Sequence, residues 1–198
     1  MRDRLFADWR SLVVETTLGG RGDGRAAPGS AWVQALVDAA GAGNDGAPSF
    51  RRAVRQWLQE TESTSATQRQ ALDALGTLTL DLDVGAALRQ SAPTLHRLLS
   101  RRSEGDRPLN ASRRRFIEAL GVADLFPEVA EFWKRHAPRL VPDPATASGS
   151  HYDDCAEWLA AVFELDAVAY QRIVRGWATA HVRRKNLWLA IRKKRLPL

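Results

Sequence analysis

The chain has one cysteine, one methionine and two tyrosines in 198 residues. A single thiol, Cys155, excludes an internal disulfide and any zinc site built from several cysteines, and is expected to pack as a small hydrophobe. No run of eighteen apolar residues occurs, so no membrane association is expected. The segment Met1 to Trp9 carries charged residues where a secretory signal needs a continuous apolar stretch, which places the expected location in the cytoplasm. Enzyme signatures are also scarce. Gly19-Gly-Arg-Gly-Asp-Gly24 lacks the lysine of a phosphate-binding loop and the flanking strand and helix. His151-Tyr-Asp-Asp-Cys155 gathers ligand types at a spacing that matches no helical pair, and no second cluster completes a metal shell. We therefore expect no catalytic residue, no metal and no cofactor.

What the sequence does contain is helical periodicity and localised positive charge. A hydrophobic content of 44% can supply a sizeable core. Apolar residues at helical spacing predict helices near 4–15, 31–40, 50–60, 67–75, 111–120, 124–134, 152–163, 166–181 and 183–195, with a further helical pair between 84 and 100. The expected fold is all-α: a multi-helix bundle with a central helix-turn-helix-like domain flanked by helical hairpins. Its segments are an N-terminal part over 1–62, the central domain over 63–137 and a C-terminal hairpin with a basic last helix over 150–198. A Ser/Thr-rich linker near 60–67 and a proline-containing one over 138–150 separate them.

The central pair is the most informative stretch. Val84 and Leu88 lie four apart and Leu95 and Leu98 three apart, so each pair shares one helical face, and the faces close on each other if the chain turns near 89–91. Asp81 or Asp83 is positioned to cap the first helix and Ser91 the second, with Pro93 in its first turn. The small residues Gly85, Ala86 and Ala87 sit where a second helix would approach. This arrangement leaves Thr94, His96, Arg97, Ser100 and Arg101 facing away from the leucines, a set of donors and cations suited to base edges and phosphates, and Ser91 at the start of the same helix is a further candidate DNA contact.

The segments Val84-Gly-Ala-Ala-Leu88, Ser91-Ala-Pro-Thr-Leu-His-Arg-Leu-Leu99 and Arg107-Pro-Leu-Asn-Ala-Ser-Arg-Arg-Arg-Phe-Ile-Glu-Ala-Leu-Gly-Val-Ala-Asp-Leu-Phe126 resemble helices two to five of Cro/C1-type (XRE-like) helix-turn-helix domains, over about 67–126. Arg89 stands where such domains usually carry a turn glycine. The resemblance implies a transcriptional regulator that reads double-stranded DNA, as a homodimer placing two recognition helices one DNA turn apart. Helix 91–101 would then enter the major groove, Arg97 would contact guanine, and Arg101, Arg102 and Arg107 would hold phosphates.

The net charge of +6 is unevenly placed. Residues 89–115 hold eight arginines against Glu104 and Asp106, and residues 183–198 hold seven cations (Arg183, Arg184, Lys185, Arg192, Lys193, Lys194, Arg195) and no acid. The rest of the chain is therefore net acidic, and the basic segments favour a polyanionic partner through counterion release. A repeat also emerges: Phe50-Arg-Arg-Ala-Val-Arg-Gln-Trp57 and Tyr170-Gln-Arg-Ile-Val-Arg-Gly-Trp177 share aromatic, Arg, apolar, Val, Arg and Trp positions, a common packing pattern for helical hairpins. The competing readings are a protein-interaction module whose partner docks on the Trp-containing hairpins, and RNA binding through the basic tail and exposed aromatics.

Overall fold

The computed structural model describes residues 39, 43–62, 65–103, 107–141 and 152–198. The helices anticipated near 4–15 and 31–40 lie outside the described residues, apart from Ala39. The described residues form nine α-helices and no strand: α1 (Gly46–Glu60), α2 (Ser65–Leu78), α3 (Leu82–Ser91), α4 (Pro93–Ser103), α5 (Arg107–Leu120), α6 (Leu125–His136), α7 (Tyr152–Leu165), α8 (Ala167–Ala180) and α9 (Lys185–Lys193). The fold is an all-α bundle. Short 3-10 turns precede α1 (Gly43–Asp45) and follow α6 (Ala137–Leu140).

Two helices organise the rest. α2 buries Ala71, Leu72, Ala74, Leu75 and Leu78 and packs on α4, α5 and α6. α7 buries Cys155, Ala156, Leu159, Ala161 and Val162 and packs on α4, α8 and α9. α4 is thus held between them. One hydrophobic cluster runs from Phe50 in α1 to Ile191 in α9, so all three sequence segments contribute to the same core. Fully burying each large apolar side chain in it stabilises the fold by about 1.5–3 kcal/mol.

The two matched octapeptides lie on α1 and α8. Phe50 and Val54 are buried and Trp57 half-buried, while Tyr170, Ile173, Val174 and Trp177 are all buried, so the shared pattern marks a shared inward face. Ala53 departs from it and is exposed. α1 packs on α6, with Trp57 and Phe132 ring centroids 4.9 Å apart, and α8 packs on the Ala137–Leu140 turn that ends α6, where Trp177 Nε1 donates to the Pro138 carbonyl at 3.2 Å. The described tryptophans, Trp57, Trp133, Trp158, Trp177 and Trp188, are buried or half-buried by packing within the chain.

Helix ends follow local chemistry. Asp81 caps α3 by accepting the Asp83 and Val84 N–H groups at 3.0 and 3.1 Å. Gly121 ends α5 in the left-handed region (φ +63), donating its N–H towards the Ile117 and Glu118 carbonyls. Gly46 lets α1 start against Ala39: an added Cβ would lie 2.2 Å from the Ala39 carbonyl oxygen. Arg51 reaches from α1 to the Asp124 carboxylate and the Gly121 carbonyl, and Arg55 pairs with Glu128, fastening α1 along α6.

Candidate nucleic-acid interface

The α3–α4 pair forms, but its turn differs from the expected one. α3 continues through Ser91, whose hydroxyl donates to the Ala87 carbonyl at 3.0 Å within its own helix and caps nothing. The connection is Ala92 alone, fully buried at φ −144 and ψ 70. Pro93 explains the break, because a proline disfavours the helical conformation in the residue before it and then starts the next helix at N1. One residue is shorter than the three- or four-residue turn of DNA-binding helix-turn-helix motifs. Leu88, Leu95 and Leu98 are buried as the spacing predicts, and Val84 is half-buried. Gly85 admits the preceding turn rather than a second helix: a Cβ there would lie 2.9 Å from the Thr79 carbonyl oxygen, and Ala86 and Ala87 are exposed.

Ala92 has no side-chain oxygen, so α4 starts without a cap of its own. Glu164 of α7 supplies one, accepting the Thr94 N–H at 2.8 Å and the Thr94 hydroxyl with its other oxygen. The carboxylate also sits at the positive end of the α4 dipole. Thr94, an expected base reader, is thereby half-buried against α7. His96 is half-buried as well, and burial, with Arg89 nearby, holds its pKa below the ordinary histidine range.

Arg97 and Arg101 remain exposed on the outer edge of α4, and Ser100 is half-buried. Both arginines lie close enough to Glu157 of α7 to depress its pKa, Arg101 Nη1 being 3.8 Å from Glu157 Oε2. The strongest influence on Glu157 is Lys194, whose Nζ donates to Oε1 at 2.7 Å. Glu157 is therefore where the two basic segments meet. Lys194 and Arg101 pair with that carboxylate and Arg97 acts on it from further off, while Arg192, Lys193 and Arg195, next to Lys194 in the chain, are exposed. Positive charge is at home at this end, since Arg192 and Lys193 occupy the last turn of α9 and face its negative dipole end.

The other half of the tail is divided from this end. Arg183 and Lys185 are exposed at the start of α9, about 13 Å of helix away from its end. Arg184 turns inward, its Nη1 donating to the Tyr152 hydroxyl at 3.4 Å. The side chains of Arg102 and Arg107 lie outside the described residues.

Net charge per segment does not reveal Glu157 and Glu164. Their signal is their spacing: seven residues on one helix puts both on the same face. Cys155 is buried, donates to the Leu140 carbonyl at 3.4 Å, and is pushed up to about 11 chiefly by burial, so it sits as a packed thiol. Among the described residues no group of three or more His, Cys, Asp or Glu side chains is arranged to hold a metal ion, and no helix is long and apolar enough to cross a membrane. Comparison with protein-family models, with curated proteins and with solved structures gave no match.

Proposed function

We propose that the protein binds double-stranded DNA through the ridge formed by the outer edge of α4 and the end of α9. The observation that carries this reading is that Arg101 and Lys194, far apart in sequence, both pair with Glu157, with the exposed Arg97 near enough to act on the same carboxylate, so the surface there holds more positive than negative charge. Such a ridge gains affinity by displacing counterions from phosphates. A duplex suits it better than a single strand. Single-strand readers stack bases on exposed aromatics, and among the described residues every tryptophan and tyrosine is half-buried or enclosed, Phe163 being the exposed ring. Arg97, exposed on α4, is the side chain assigned to guanine. The regulatory role implied by the helix-turn-helix resemblance belongs to the same proposal.

Fluorescence anisotropy on duplex DNA over a salt series tests it. Binding should weaken linearly in log–log form with salt, and Arg101→Ala and Lys193→Ala should each lower the slope by about 1. Arg52→Ala on α1 should leave it unchanged. On duplexes of differing sequence, Arg97→Ala should also relax preference by about 1–3 kcal/mol. Absence of binding at low salt, tighter binding to single-stranded RNA, or equal slopes in all three variants would refute the reading.

A further inference from the structure

α7 offers α4 two carboxylates from one face. Glu164 takes the N–H and hydroxyl of Thr94 at the start of α4, and Glu157, two helical turns earlier in α7, takes up the charge of Arg101, Arg97 and Lys194. The groups so occupied are of the kinds that hold a nucleic-acid backbone: a helix N-terminus with its free N–H groups, a hydroxyl, and cations. Packing alone does not account for this pattern. The apolar contact of α7 is already made by Ala156, Leu159 and Val162, which are buried, whereas Glu157 and Glu164 lie at its margin. Arg97 and Arg101 stay exposed, and Arg101 reaches Glu157 only loosely, at 3.8 Å, so a phosphate can engage both arginines without moving a buried residue.

We infer that α7 is an internal competitor of nucleic acid: Glu157 and Glu164 stand where phosphates would stand, and duplex DNA binds by displacing them. The inference rests on the proposed DNA-binding reading. It implies that affinity is set below what the ridge alone would give, and that neutralising the two carboxylates raises it. Glutamine keeps the size of each side chain and still accepts the Thr94 N–H, so Glu→Gln changes remove charge without uncapping α4.

The experiment compares duplex DNA affinity, at one low salt concentration, of the full-length chain and its Glu157→Gln, Glu164→Gln and double variants. Asp153→Asn, an exposed change of equal charge on the same helix, serves as the control. The double variant should bind at least about fivefold tighter than the wild type, with Glu157→Gln alone giving a separate part of that gain, and Asp153→Asn less than about twofold. Glu157→Gln alters the Lys194 and Arg101 pairs and leaves the α4 cap intact, so it remains informative if the double variant loses helicity by circular dichroism. A wild type that binds, with Glu variants no tighter than Asp153→Asn, overturns the competitor and leaves the DNA reading standing. If neither wild type nor variants bind, the DNA reading fails and the competitor fails with it.

Discussion

Lys134 Nζ lies 2.9 Å from the Asp166 carboxylate, and the other oxygen of that carboxylate accepts the Ala169 N–H at 2.9 Å to cap α8. One aspartate thus anchors α8 to the end of α6. Lys134 is buried along its stem and also pairs with Glu131; burial opposes its charge, but the two carboxylates outweigh it and raise its pKa. Asp166→Ala should remove the cap and leave the Lys134 ammonium with one partner, costing about 1–2 kcal/mol. Urea denaturation of the variant against the wild type measures this, and a loss below about 0.5 kcal/mol would show that α8 is held by apolar packing alone.

The Ala169 N–H and then Lys134 depress the Asp166 pKa, Arg51 depresses that of Asp124, and Lys194 that of Glu157. A carboxylate whose pKa is lower folded than unfolded contributes stability above its unfolded pKa and loses it as pH falls through the folded value. The melting temperature should therefore fall as pH drops from about 5 to below 4. Asp166→Asn should flatten that fall, and an identical acid profile in the variant would remove Asp166 from the account.

Three glycines should respond to alanine in different ways. Gly176 lies exposed within α8 with open space around a new Cβ, so Gly176→Ala should stabilise by about 0.5–1 kcal/mol. Gly121 has the same free space but a φ of +63, so alanine there should cost about 1 kcal/mol. Gly46→Ala meets backbone at 2.2 Å and should cost more than either, about 1–3 kcal/mol. Thermal melts of the three variants should rank in that order.

Cys155 should resist alkylation by iodoacetamide at pH 8 in the folded protein and react readily in urea, because burial both hides the thiol and raises its pKa to about 11. Fast labelling of the native protein would show that the contact between α7 and the Ala137–Leu140 turn opens easily.

Much of the fold could be read from spacing. The apolar pairs of α3 and α4, the Asp81 cap and the inward faces of α1 and α8 all depend on neighbours within a few residues, where periodicity and capping chemistry act. The position of the α3–α4 turn was also encoded, in Pro93, but Ser91 offered a competing cap, and its hydroxyl instead bonded back to Ala87. The seating of α7 against α4 had no local signal. Arg97 and Thr94 looked free because nothing near them in sequence is acidic, and Glu157 and Glu164 reach them only across a tertiary contact.

The single apolar cluster joining Phe50 to Ile191 has a consequence for dissecting the chain. Expressed apart, a piece ending near residue 141 and a piece beginning near 152 would each present a face meant for the other: that of α4 on one, that of α7 on the other. Such halves should fold poorly alone and recover helicity when mixed, because each supplies the apolar medium in which the other's core is stable.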